Sequence, residues 1–155
     1  MINSINMDKE LIAPCGANCA VCGRYLALRY DVNRKGMRMS YCAGCRPRNR
    51  KCAFITKNCK LLLSKKIEFC YECGNFPCKR LKRLDGRYQK FFRTSFVENL
   101  EYIKNKGMAK FLKAQQEKWR CSKCGEVICC HNGLCFNCDF QTLKKKKNKI
   151  RWEGN

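Results

Sequence analysis

The sequence has a single histidine, His131, three prolines, and only 12 acidic residues against 34 lysines and arginines. These shortages exclude the common hydrolytic constellations. There is no Ser/His/Asp set, no phosphate-cradling glycine loop and no evident carboxylate pair. Catalysis would have to run through an open metal position or a free thiol, such as Cys52, Cys59, Cys78 or the Cys129/Cys130/His131 cluster, so the reading favours a protein without enzymatic activity. Apolar residues are also scarce. Leu, Ile, Val and Phe make up about a fifth of the 155 residues, near the level at which a self-sufficient core fails. No run approaches about 18 apolar residues, so no membrane-crossing helix is expected. Met1 to Leu11 carries Asp8, Lys9 and Glu10 and does not read as a signal peptide. The expectation is a cytoplasmic chain with no membrane partner.

Cysteine is what the sequence has in excess, with 16 residues. In a reducing compartment such a load means metal sites rather than disulfides. Five CxxC pairs support that reading: Cys19/Cys22, Cys42/Cys45, Cys70/Cys73, Cys121/Cys124 and Cys135/Cys138. Two intervening residues let one tight turn aim both sulfurs at one ion, and two such turns complete a tetrahedral site. Gly23, Gly74 and Gly125 follow three of the pairs and permit the turn to fold back.

The cysteines form two groups. Cys15, Cys19, Cys22, Cys42, Cys45, Cys52, Cys59, Cys70, Cys73 and Cys78 precede a cysteine-free stretch, and Cys121, Cys124, Cys129, Cys130, Cys135 and Cys138 follow it. The stretch between reads as helix. Ser95-Phe-Val-Glu98 has the form of a capping box, and Phe96, Leu100 and Ile103 recur at helical spacing. Gly107 is the expected C-cap, after which Met108, Phe111, Leu112 and Gln115 restart an amphipathic run toward Trp119. Ala20 to Tyr30 also reads as a short helix, with Val21, Tyr25 and Leu28 on one side. In the second group, Asn132-Gly133 is the sequence of a type I′ hairpin turn. Placed between two cysteine knuckles, it predicts a zinc-ribbon-like hairpin with Cys121, Cys124, Cys135 and Cys138 as ligands. Strand alternation would put Cys129 and His131 on one face and Cys130 on the other, where His131 is either a solvated surface residue or part of a second metal shell.

The fold expected is a small metal-stabilised α+β protein. Residues 12–84 form an irregular cysteine-rich module with short helices, 85–118 a helical connector, 119–142 the ribbon-like module, and 143–155 a disordered basic tail. Zinc is the expected metal, at two to four ions. How the ten N-terminal thiols group does not follow from spacing, and a [4Fe–4S] cluster remains an alternative for them, since all-thiolate ligation suits both. The Cys15-x3-Cys19-x2-Cys22 spacing also occurs in radical-SAM enzymes, but those need a large partial barrel that this chain cannot supply.

The ordered pattern Pro14-Cys15-Gly16-x2-Cys19-x2-Cys22, Cys42-x-Gly44-Cys45-Arg46, Cys52, Cys59 and Ile67-Glu-Phe-Cys70-x2-Cys73-x2-Phe76-Pro77-Cys78 resembles the prokaryotic family called domain of unknown function 3795. The resemblance runs over residues 12 to 84, and the segment from Phe96 to Cys138 resembles an extended version of that family. It implies metal binding and no settled activity. The seven-residue step from Cys52 to Cys59 is longer than the family's usual spacing.

The formal charge of +22 is the other dominant feature. Each four-thiolate zinc site contributes a net −2, so even four sites leave a large positive excess. Basic residues cluster at 34–38, 46–51, 79–87 and 144–151 beside aromatic rings. Arg46, Arg48, Arg50, Lys79 and Arg80 are the candidate contacts for RNA or single-stranded DNA. The bland alternatives are a solvated face or a protein-interaction module with an unknown protein partner.

Overall fold

The computed structural model describes residues 7–48 and 58–153. It is mostly helical. The helices are α1 (Gly23–Arg29), α2 (Cys45–Arg48), α3 (Lys60–Leu63), α4 (Lys79–Phe92), α5 (Phe96–Lys106), α6 (Met108–Lys118) and α7 (Phe140–Lys145), with short 3-10 turns at Lys9–Leu11, Cys19–Val21 and Cys70–Glu72.

The central helices form for the reasons read from the sequence. The Ser95 hydroxyl accepts the Glu98 N–H at 3.1 Å and starts α5. Gly107, at φ 90°, ends α5 and leads directly into α6. Leu100 and Ile103 of α5 and Phe111 of α6 are buried. Helix α4 is joined to this pair through Asp85, a buried carboxylate that accepts from the Ser95 hydroxyl at 2.9 Å and the Val97 N–H at 3.1 Å. A buried charge of this kind is tolerable only when its lone pairs are filled.

The helices carry the N-terminal cysteine loop. The Asn99 amide donates to the Gly16 carbonyl at 2.9 Å, and the Asn18 amide donates to Gln115 of α6 at 3.1 Å. Gly16, at φ 89°, packs so closely on the Phe96 carbonyl and the Leu100 side chain that any Cβ would collide. In α1 the buried residues are Leu26 and Ala27, while Leu28 is exposed, so the inward face differs from the expected Tyr25/Leu28 side. The 3-10 turn before α1 shifts the helical phase.

The expected β contribution is corrected. Among the described residues there are no strands, only isolated antiparallel bridges at Ile12↔Asn18, Arg120↔Val127 and Ile128↔Cys135. The class is a cysteine-rich, mostly helical protein rather than α+β. The turn at Asn132-Gly133 is not type I′ either. Gly133 alone has positive φ, at 71°, because the Asn132 side chain accepts the Leu134 N–H at 2.9 Å and closes an Asx turn. Residues 143–153, expected as a disordered tail, pack onto this region. Leu143 is fully buried, the Trp152 indole donates to the Cys130 carbonyl at 2.8 Å, and its ring lies against Gly133.

Candidate metal centre

The C-terminal knuckles bring Cys121, Cys124, Cys135 and Cys138 together with all four sulfurs within 4.8 Å of one another. The Cys121–Cys138 separation is 4.0 Å and the Cys124–Cys135 separation 3.6 Å. A tetrahedral zinc with Zn–S bonds of about 2.3 Å places its sulfurs about 3.8 Å apart, so the donor set has the size of a mononuclear site. Local hydrogen bonds hold it. The Gly125 N–H, at φ 78°, closes the first knuckle onto the Cys121 carbonyl at 2.9 Å, and the Cys138 N–H donates to the Cys135 sulfur at 3.4 Å. Asp139 accepts the Cys135 N–H at 2.9 Å and faces Lys123 at 3.8 Å. The acid directly after Cys138 thus supports the knuckle, a role that CxxC spacing alone does not reveal.

The electrostatics of this group suit a cation. Burial raises the Cys124 thiol, but hydrogen bonds from the Glu126 backbone, Asn137, Cys138 and Cys135 outweigh it and bring it down to about 7. Cys135 is pushed up to about 12, first by burial and then by its contacts with Cys124 and Cys121. One thiolate thus forms at the expense of its neighbours. Four can coexist only around a positive ion.

The N-terminal thiols fall into two sets that spacing left open. Cys19, Cys22, Cys42 and Cys45 meet where the Cys19–Val21 turn, α1 and α2 begin. The Cys45 N–H donates to the Cys19 sulfur and the Gly44 N–H to the Cys42 sulfur, each at 3.4 Å. Cys22 is raised by burial, with Cys42 and Cys45 adding to it. A cavity of about 40 Å³ lies against Cys19, Cys22 and Cys45. The second set is Cys59, Cys70, Cys73 and Cys78, which line one cavity of about 340 Å³. Cys15 is fully buried, and its nearest ionisable neighbours, Cys45 and Cys70, come one from each set. Cys52 lies outside the described residues.

Cys129 and Cys130 are both buried, so the alternation expected of a strand does not occur there. His131 joins the two halves of the molecule. Its Nδ1 accepts the Gly23 N–H at 3.1 Å, its Nε2 faces the Tyr88 hydroxyl at 3.4 Å, and its ring packs edge-on against Phe92. The Cys130 N–H donates to the Val21 carbonyl at 2.9 Å beside it.

The basic residues separate by role. Arg46 is mostly buried. Its Nε donates to the Ile12 carbonyl at 2.6 Å, its Nη2 donates to the Glu68 carbonyl at 3.3 Å, and its guanidinium lies 4.6 Å from the centre of the Phe69 ring. It ties the cysteine loops together. Arg48 ends α2, and Arg50 lies outside the described residues. Lys79 and Arg80 open α4, whose exposed side also carries Lys82, Arg83, Arg87 and Lys90, while its one acid, Asp85, is buried.

Fold and site together define a helical, cysteine-rich protein with a four-thiolate group able to hold a metal ion. Residues 11–83 match the model of the family described as "Protein of unknown function (DUF3795)", so the resemblance read from the ordered cysteines holds over that stretch. The match ends before the C-terminal tetrad. Comparison with curated proteins and with solved structures gives no match. No helix among the described residues is long and apolar enough to cross a membrane.

Proposed function

We propose that this is a zinc-stabilised binding protein whose basic surface takes RNA or single-stranded DNA. The observation that carries the metal half is the C-terminal tetrad, whose sulfur separations match a single tetrahedral zinc. Cys19, Cys22, Cys42 and Cys45 form a second set of four thiols, beside a cavity too small for more than an ion and its closest neighbours. In this reading zinc is a structural element, because each set offers four thiol donors and so a closed tetrahedral shell.

The nucleic-acid half rests on α4. Lys79, Arg80, Lys82, Arg83, Arg87 and Lys90 stand exposed along 14 residues, with Phe91 also exposed beside them. No ion pair involving any of these six side chains occurs among the described residues. A row of unneutralised cations with an exposed ring suits phosphates and stacked bases. The test is binding of single-stranded RNA to the full chain over a range of salt. A contact set of about five phosphates gives a log–log slope near −3.5. Lys82→Glu, Arg83→Glu and Arg87→Glu together should flatten that slope by about two and leave the zinc content unchanged. If binding weakens only when the exposed Lys145 and Lys147 are replaced by Glu, the interface is the C-terminal basic segment. If no binding appears at low salt, a protein-interaction role replaces this one.

A further inference from the structure

The set Cys59, Cys70, Cys73 and Cys78 differs from the other thiol groups in size. We propose that these four residues hold a polynuclear iron–sulfur cluster of the [4Fe–4S] class in the cavity they line. The cavity measures about 340 Å³, whereas the one beside Cys19, Cys22 and Cys45 measures about 40 Å³. A single ion needs no room beyond its donor atoms. Inorganic iron and sulfide inserted between the thiolates need a great deal.

Sulfur spacing points the same way. Among the described residues only the C-terminal tetrad draws three or more donors within 4.8 Å of one another. The Cys59/Cys70/Cys73/Cys78 thiols are nonetheless neighbours. All four line the same cavity, with Cys59 and Cys78 on its helix starts and Cys70 and Cys73 on the turn between them. They surround a common space without closing on a point. In a cubane cluster each thiolate binds a different iron, so the sulfurs stand farther apart than around one zinc.

The backbone presents all four inward. Cys59 precedes α3 and Cys78 precedes α4, each at the N-cap position and neither spending its side chain on a capping bond. Cys70 opens the Cys70–Glu72 turn and Cys73 closes it, with the Asn75 N–H donating to the Cys73 sulfur at 3.4 Å. Glu72 fixes that turn by accepting the Glu68 and Phe69 N–H groups at 2.8 and 2.6 Å. The 14-residue α4 directs its positive end at the cavity, and Lys79 and Arg80 stand on the rim. Both favour the net negative charge of a thiolate-bound cluster. Leu61, Ile67, Phe76 and Leu81 supply apolar wall that limits access of water.

The test uses the full chain purified without oxygen, assayed for iron, acid-labile sulfide and zinc. The expected result is about four irons and four sulfides per chain with broad visible absorption, alongside the zinc. Cys70→Ser and Cys73→Ser should each remove iron and sulfide together and leave zinc in place. Cys124→Ser should remove the zinc of the C-terminal tetrad and leave the cluster. If Cys70→Ser does not fold, as judged by helical circular dichroism, Cys59→Ser at the more exposed rim serves instead. Wild-type protein that holds no sulfide, even after anaerobic supply of iron and sulfide, overturns the proposal. So does extra zinc that Cys73→Ser releases, or a cluster that survives substitution at both Cys59 and Cys73. Absence of zinc from the C-terminal tetrad would instead overturn the zinc reading and leave this one standing.

Discussion

The two ends of the molecule use the same CxxC turn to different effect. At the C-terminal end the four ligands span only Cys121 to Cys138, and local turns alone bring their sulfurs to within 4.8 Å. In the N-terminal part the described thiols between Cys15 and Cys78 are placed by helices. Cys22, Cys59 and Cys78 are N-caps, and the loops are anchored through Asn99, Gln115 and Arg46. The difference is one of chain closure. A short loop loses little entropy when its ends meet, so a knuckle pair converges on its own. Ligands separated by whole helices are positioned by packing, which can leave a space that a larger group must fill.

Metal removal is the severest way to break this comparison. The apolar core is thin, and structural zinc contributes on the order of 10 kcal/mol to folding in small domains. Chelation of the full chain should therefore unfold the segment around Cys121–Cys138, seen as loss of amide protection there. The helix pair α5/α6, held by Leu100, Ile103 and Phe111, should keep protection longer. Cys124→Ser should reproduce the local loss, while Cys130→Ser, outside the tetrad, should leave the zinc bound. Uniform loss along the chain would show that the two ends are one cooperative unit.

A smaller effect probes the seam between them. Burial, with the Arg24 charge adding to it, lowers His131 from 6.5 to about 4. Its other neighbours, Tyr88 and the Cys130 thiol, present a hydroxyl and a sulfur at its two nitrogens and no carboxylate. The folded state therefore holds the imidazole neutral while the unfolded chain protonates near pH 6.5. The unfolded state binds the extra proton, so this contribution is complete above pH 6.5 and is lost as pH falls toward 4. Its size is on the order of 3 kcal/mol. Denaturant unfolding of wild type and His131→Gln over that window should show a shallower pH slope in the variant. Equal slopes would assign the whole acid sensitivity to the thiolates.

What the sequence made legible follows from how local each signal is. The Ser95 cap, the Gly107 break and the buried positions of α5 and α6 depend on neighbours within a turn or two, and they were readable. So was the tetrad, whose ligands lie within one short segment. The strand pairing around Asn132-Gly133 was not. There the Asn132 side chain bonds forward to Leu134 and its amide donates to the Lys149 carbonyl at 2.6 Å, a contact 17 residues away. Grouping of the ten N-terminal thiols was equally hidden, because it depends on where α4 lies relative to the loops. The structural partners of Arg46 are hidden for the same reason: beside Cys45 it reads as surface charge, and the carbonyls that bind it belong to Ile12 and Glu68.

Arg46 and the α4 cations give the finest version of the comparison, since they carry the same charge in two settings. Arg46→Ala leaves two carbonyls without their donor and uncovers the Phe69 ring, and should cost about 2–3 kcal/mol. Lys82→Ala and Arg83→Ala, at exposed positions, should each change stability by less than about 0.5 kcal/mol. Nucleic-acid affinity should respond in the opposite order. The α4 substitutions should each lower the salt slope by about 0.7, whereas Arg46→Ala should leave the slope of the folded protein unchanged. Chemical denaturation paired with salt titration on the same samples separates the two effects. If Arg46→Ala lowers the slope of protein shown to be folded, its guanidinium reaches a phosphate despite the Ile12 and Glu68 carbonyls. The division between a cation that holds the cysteine loops and cations that face a partner would then fail.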